Sequence, residues 1–353
     1  MLPFFLKHNN EGILTKESYN KNQIQGFPKQ NDLKQTSNFK HLKPNDMLKR
    51  RDFLKTTGMA ALSGMAISKA VAAGSFWEAM LPAGVQLYTF FNVIDADVPG
   101  TLQKIADIGY KNIESAFSKK GGYYGMTPKA FAALVKDKGL SWKSHHVLGA
   151  PFQLPPGRKM PNGPDGKPIV IPPMKNLRDN MQELVDDAAE AGIPYLVCAS
   201  IPLNTTEEIK SAMHTLNKTD EACKKAGIQF AYHNHYTEFK PVDGVLPYDI
   251  ILKETPVALE LDLAWVTKAG VNPVTLFEQN PGRYKLWHVK DIDKNLKQPQ
   301  PVGTGVVNFK NIFEHAKTSG MQYYFVEHDN PADPFASITT SMQNLKKIWG
   351  SIA

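Results

Sequence analysis

From residue 82 to residue 350, short apolar runs rich in β-branched and aromatic residues alternate with longer amphipathic stretches. Eight of these runs predict strands: Gly84–Tyr88, Asn112–Ser115, Ser141–Val147, Tyr195–Ser200, Gln229–His233, Val257–Asp262, Lys285–Lys290 and Tyr323–Glu327. The stretches between them carry apolar residues every three or four positions, the period of a helix with one buried face. Strand starts at 84, 112, 141, 195, 229, 257, 285 and 323 are separated by 28, 29, 54, 34, 28, 28 and 38 residues. A βα period near 30 residues, repeated eight times, has the length and order of a (β/α)8 barrel, a single-domain α/β architecture. An open doubly wound sheet fits less well, because no glycine-rich phosphate turn follows the first strand.

One gap is too long. It contains residues 150–173, so dense in Pro and Gly that neither helix nor interior strand can form there. After the third strand of a barrel such a loop stands on the catalytic face, so it is expected to be a lid or substrate wall, with Phe152 and Arg158 as contact candidates. A solvated insertion is the alternative.

The pattern is absent at the N-terminus. Residues 1–46 are polar and show no sustained apolar period, and are read as an unstructured leader or a mis-called start. Met47-Leu48-Lys49-Arg50-Arg51-Asp52-Phe53-Leu54 then opens a cationic segment, followed by a weakly apolar run and Ala70-Val71-Ala72. Residues 47–73 resemble a twin-arginine signal peptide, which implies export to the periplasm and a mature chain beginning near Ala73. No stretch approaches the ~20 apolar residues of a membrane span, so no stable membrane insertion is expected.

Charge sharpens this division. The 353-residue chain has 41 Lys and Arg against 34 Asp and Glu, a net +7. Residues 1–73 hold 12 of the former and 5 of the latter, leaving 29 of each in the body. A neutral body lacks the excess charge that phosphate-backbone binding relies on, so nucleic acid is not an expected partner. The two cysteines, Cys198 and Cys223, are not in a thiolate-zinc spacing, and Cys198 reads as a packing residue.

The body has eight histidines, and six of them (His145, His146, His233, His235, His288 and His328) fall at or just past predicted strand ends. Those ends converge on one rim of a barrel, and the fifth to eighth strands each deliver an imidazole or carboxylate there. Mixed ligands of this kind suit Mn, Fe, Co or Zn better than Ca or Mg.

The segments Gly84-Val85-Gln86-Leu87-Tyr88-Thr89, Tyr232-His233-Asn234-His235-Tyr236-Thr237-Glu238-Phe239, Glu260-Leu261-Asp262-Leu263-Ala264-Trp265, His288-Val289-Lys290-Asp291 and Pro301-Val302-Gly303-Thr304-Gly305 resemble the sugar phosphate isomerase/epimerase family of xylose isomerase-like TIM barrels over residues 82–350. The resemblance implies one divalent metal, Mn first with Zn, Co or Fe as alternatives, held by His233, Asp262, His288 and Glu327. It implies a small carbohydrate substrate and is compatible with a homo-oligomer. The chain departs from the family at His233, where its sugar epimerases carry the first of two glutamates that flank the substrate carbon. Isomerisation or β-elimination, whose acid and base need not match, therefore fits at least as well as symmetric epimerisation.

Glu327 is the expected base for the α-proton, or else a ligand alone. His145 and His235 are candidates for the conjugate acid or for a hydrogen bond to a substrate hydroxyl, unless a backbone carbonyl satisfies them. Glu114 is expected to orient a hydroxyl or to pair with Lys290, itself a substrate-side cation. Trp265 is expected against a sugar face, whereas alternation sends Trp287 outward into the helix layer. Asn308 and the Gly303–Gly305 turn resemble a loop that closes over substrate. The expected function is an exported metal-dependent sugar isomerase or epimerase; the alternatives are a lyase on a keto-glycoside or inosose, an inactive sugar-binding protein and, least favoured, an apurinic-site endonuclease.

Overall fold

The computed structural model describes residues 81–153 and 174–352. Eight parallel strands close on themselves in the order β1-β10-β7-β6-β5-β4-β3-β2. They are β1 (Gly84–Gln86), β2 (Asn112–Ser115), β3 (Ser141–Leu148), β4 (Tyr195–Ser200), β5 (Gln229–His233), β6 (Ala258–Asp262), β7 (Leu286–Val289) and β10 (Tyr323–Val326). A two-stranded antiparallel ribbon, β8 (Asp291–Ile292) with β9 (Pro299–Gln300), stands between β7 and β10 in sequence. The expected (β/α)8 barrel is the observed fold. The leader, the signal segment and residues 154–173 of the expected lid, Arg158 included, lie outside the described residues. The side chain of Phe152, just before that gap, is exposed.

Local sequence starts the helices that cover the barrel. Asp97 caps Val98–Ile108 through the Gly100 amide, Thr127 caps Pro128–Asp137 through Ala130, and Asp333 caps Pro334–Gly350 through Phe335 and Ala336. Each of these caps satisfies an amide that the helix leaves without a partner. A proline in the first turn, where no amide is needed, fixes the backbone for entry. Their apolar faces pack on the outer side of the strands, where Trp287 stacks on Phe277 with ring centroids 5.0 Å apart, as alternation predicts. Inside the barrel a separate apolar layer of Tyr195, Val197, Ala231, Leu286 and Phe325 forms a floor. Every charged group described below stands above it.

Asp291 ties the rim loop to the barrel. Its Oδ2 accepts from the amides of Gly303 (2.9 Å) and Gly305 (2.8 Å), and its Oδ1 from those of Ile292 (2.9 Å) and Val307 (3.1 Å). A Cβ at residue 305 would run into the Ile292 carbonyl and the Asp291 carboxylate, so only glycine allows this approach. The turn expected to close over substrate is thus pinned from below, and Asn308 caps the helix Phe309–Glu314. Asp291→Ala is expected to cost about 2–3 kcal/mol, because hydrogen bonds to a buried carboxylate are among the strong ones. Urea unfolding would read this loss, and limited proteolysis should show earlier cleavage within 301–307.

Candidate active site at the C-terminal rim

Alternation along the strands places two polar layers inside the barrel. Glu260 and Asp262 are both inward residues of β6; the former is the register partner of His233 and the latter of His288. Glu114 on β2 lies beside Gln86 of β1 and Ser144 of β3. The lower layer is therefore Gln86, Glu114, Ser144, His146, His233, Glu260 and His288, and all of it is buried. Asp262, Lys290, Glu327 and Asp329 make the upper layer.

In the lower layer Glu114 accepts from Gln86 Nε2 (2.6 Å) and Ser144 Oγ (2.5 Å), and lies 2.6 Å from His288 Nε2 and 3.1 Å from His146 Nε2. Glu260 Oε2 is 2.5 Å from His146 Nε2, 3.2 Å from His233 Nδ1 and 3.2 Å from His288 Nε2. Burial alone would suppress charge on both imidazoles and carboxylates. For His146 the two glutamates outweigh burial and push it up to about 9; His288 is also raised well above its ordinary value, against burial, by Glu260, Glu327 and Glu114. Glu114 is held low, against burial, by His146 and His288, while burial and the neighbouring Glu114 push Glu260 up to about 7. His233 is the exception: burial and the surrounding positive groups hold it well below the usual imidazole range, so it is neutral. Its Nδ1 and Glu260 Oε1 are buried without hydrogen bonds.

The upper layer is organised by one ammonium. Lys290 Nζ lies 2.6 Å from Glu327 Oε2, 3.0 Å from Asp262 Oδ2 and 3.0 Å from Asp329 Oδ2, and is held protonated by them despite burial. Asp262 spends its other oxygen capping the helix that follows β6, accepting from the Trp265 amide at 2.8 Å. This cap places the Trp265 ring beside the site, with Lys290 Nζ 5.0 Å from its centroid. Glu327 Oε2 also meets His288 Nδ1 at 2.8 Å, so His288 joins the two layers. Burial would raise Glu327, but Lys290 and His288 outweigh it and hold its carboxyl far below the ordinary range.

Donor atoms of His146, His233, Glu260 and His288 lie within 4.8 Å of one another, as do those of Asp262, His288 and Glu327. Nitrogen-rich donors, a neutral imidazole and two buried atoms in need of a partner fit a divalent cation. The xylose isomerase-like TIM barrel family matches residues 102–348. The chain belongs to that family. It is similar to a sugar phosphate isomerase/epimerase from Parabacteroides distasonis ATCC 8503, with 27% identity and a TM-score of 0.60 over 75% of this chain and 93% of that one. An L-ribulose 3-epimerase (12% identity, TM-score 0.57, 77% of this chain and 96% of that one) shares the fold. So does an IOLI protein with a binding zinc atom (15% identity, TM-score 0.56, 77% and 99%). No curated protein matches the chain.

Of the residues singled out from sequence, the structure gathers Asp262, His288, Lys290, Glu327 and Trp265 at the rim. His233 sits lower, and His235 lies past the end of β5, half-buried, with Nδ1 3.7 Å from Glu238 Oε1 and its ring 6.2 Å from that of Trp265. Two expectations need correction. Glu114 does not pair with Lys290, which stands a layer above it; its partners are His146, His288, Gln86 and Ser144. His145 faces away from the barrel interior: Nδ1 meets Ser115 Oγ at 2.7 Å and its ring packs on Tyr123 and Trp142. Burial, with His146 next, pushes His145 down to about 3, so it stays neutral and serves packing. His145→Gln is expected to leave kcat within about twofold while costing about 1–3 kcal/mol; steady-state kinetics and urea unfolding would separate the two effects. Sequence reading counted His146 among the strand-end histidines but gave no role to it, to Glu260 or to Gln86, although the spacing of Glu260 from Asp262 already puts both on one face.

Cys198 is fully buried and its thiol is raised by that burial, which leaves it no thiolate for chemistry. Among the described residues no helix is long and apolar enough to cross a membrane.

Proposed function

We propose that the protein is a metal-dependent enzyme of the isomerase or epimerase kind, acting on a sugar, keto-sugar or cyclitol by removing a proton next to a carbonyl. The observation that carries this reading is the placement of Glu327 against Lys290 and His288 at the rim. A base, a fixed ammonium and an imidazole share one buried carboxylate oxygen, with an indole face alongside.

In the free protein the Lys290 ammonium holds Glu327 too acidic to take a proton from carbon. A substrate carbonyl oxygen that accepts from Lys290 Nζ draws the ammonium off Glu327 and raises the basicity of its carboxylate at the point of need. The same ammonium then faces the oxyanion formed as the proton leaves. His288 holds Glu327 in position through its Nδ1 contact. Trp265 supplies an apolar face for the C–H side of a sugar ring. His235, on the loop beyond β5 with its ring 6.2 Å from that of Trp265, is the candidate to exchange a proton with a hydroxyl. A divalent metal, when bound by the His and Glu donors, supplies further positive charge for the developing enediolate.

With a single glutamate on the reacting face, proton return and β-elimination diverge only after the shared first step, so the lyase reading uses the same residues. The Arg50-Arg51 segment and Ala70-Val71-Ala72 support export by the twin-arginine route, with a carbohydrate met outside the cytoplasm. The test is proton NMR of keto-sugars and inososes incubated with metal-loaded protein in D2O. Enzyme-dependent loss of one α-proton signal is expected, with a new isomer or an enone as product. Binding of a sugar with no exchange in any candidate would favour a binding protein instead.

A further inference from the structure

We propose that the divalent metal of this barrel is held in the lower layer, by His146 Nε2, His233 Nδ1, Glu260 Oε2 and His288 Nε2, and that Lys290 occupies the rim in place of a metal. The inference rests on the metal-dependent reading above and moves its site to a different set of donors.

The rim set of Asp262, His288 and Glu327 already contains a cation. Lys290 Nζ touches both of its carboxylates, at 3.0 and 2.6 Å, and a dication among the same oxygens would stand against a buried ammonium. His233, the fourth member expected from sequence, is in contact with Glu260 and lies in the lower group instead. That lower group has the features of an incomplete coordination shell. Three imidazole nitrogens converge on one oxygen of Glu260, at 2.5, 3.2 and 3.2 Å, yet that oxygen hydrogen-bonds only to His146. His233 Nδ1, one of the four proposed donors, has no hydrogen-bond partner although it is buried, a cost of about 1–3 kcal/mol that a bound cation would relieve.

The contacts behind the donors are those of a metal centre. His288 turns Nε2 to the lower group and Nδ1 to Glu327 Oε2, the carboxylate–histidine arrangement that fixes the tautomer of a metal-bound imidazole. Glu114, bonded to Gln86 and Ser144, stands 2.6 and 3.1 Å from the Nε2 atoms of His288 and His146 themselves, so a bound cation takes the place of those two contacts. Three nitrogens with one carboxylate oxygen select a zinc-class dication over magnesium. Such a site, buried under the rim, would add its positive charge from below and hold Glu327 in position through His288.

The test uses the full chain reconstituted with Zn2+ and dialysed. Metal content is expected to be about one equivalent in the wild type, in Asp262→Asn and in Glu327→Gln, and to fall at least about tenfold in His146→Ala and Glu260→Gln. X-ray absorption at the zinc edge of the wild type should count three imidazoles, a readout that needs no variant to fold. One equivalent that survives His146→Ala, is lost in Glu327→Gln and shows fewer than three imidazoles would place the metal at the rim, overturning this proposal but leaving metal dependence intact. A wild type that binds no zinc, and whose proton exchange is unaffected by chelator, would overturn both.

Discussion

Glu327→Gln is expected to leave the barrel folded and to lower kcat by about 10²- to 10⁴-fold, the usual worth of a positioned general base. The carboxamide keeps the shape of the side chain, and its oxygen can still accept from Lys290 or His288, whose nitrogens lie 2.6 and 2.8 Å from the carboxylate oxygen it replaces. It cannot take a proton from carbon. Because substrate would still meet Lys290 and Trp265, the loss should appear equally in kcat and kcat/KM, with KM moving little. Stability should change modestly, since Lys290 retains Asp262 and Asp329. Deuterium incorporation followed by NMR reads the proton transfer itself, apart from product release. A loss of less than about tenfold would put the base elsewhere.

The architecture was legible because a parallel barrel repeats one unit. The predicted strand starts at 84, 112, 141, 195, 229 and 323 are the observed ones, and β6 and β7 begin one residue later than predicted. The rim residues of β6, β7 and β10 were equally readable, since a strand end followed by a loop marks the catalytic face. Depth was not readable. His145 and His146 are adjacent, and a one-residue change in register exchanges which of them faces the interior. That register depends on an irregularity in the β2–β3 pairing between Ile113 and Glu114, which no local pattern announces. His235 stands two residues beyond His233, a spacing that shares one face within a strand, but β5 ends at His233, so alternation no longer applies beyond it. The pairing of Asp291 with residues 303–307 spans a ribbon of two-residue strands, too short to leave a periodic signal.

The two layers also divide the charges by function. Below, imidazoles and glutamates share a compact site over an apolar floor. Above, three carboxylates surround one buried lysine, whose ammonium is the group proposed to meet the substrate oxygen. Stability and activity therefore meet at the same atom.

Lys290→Met should expose that coupling. At neutral pH it is expected to lose about 3–5 kcal/mol of stability, the cost of breaking a buried ion pair by removing one partner, although methionine fills much of the lysine volume. In the wild type, Lys290 is raised above its ordinary 10.5, so its contribution is complete below that value and is lost only as pH rises through the higher folded value. Glu327 is depressed below its ordinary 4.5, so its contribution is present above 4.5 and fades as pH falls towards the folded value. In the variant both carboxylates lose the charge that opposes their burial. Asp262, already raised above 3.8 by burial even with Lys290 beside it, rises further, and Glu327 loses its strongest opposing charge. Both are then destabilising when ionised, so the gap between variant and wild type is widest from neutral pH upward and narrows as acid protonates them. Urea unfolding at a series of pH values measures this, with Lys290→Arg expected to recover part of the loss at neutral pH. A gap that stays constant as pH falls below about 5 would mean that packing, not charge, sets the cost. Activity should fall with stability in Lys290→Met but not recover in acid, because the oxyanion needs the ammonium whatever the state of the carboxylates.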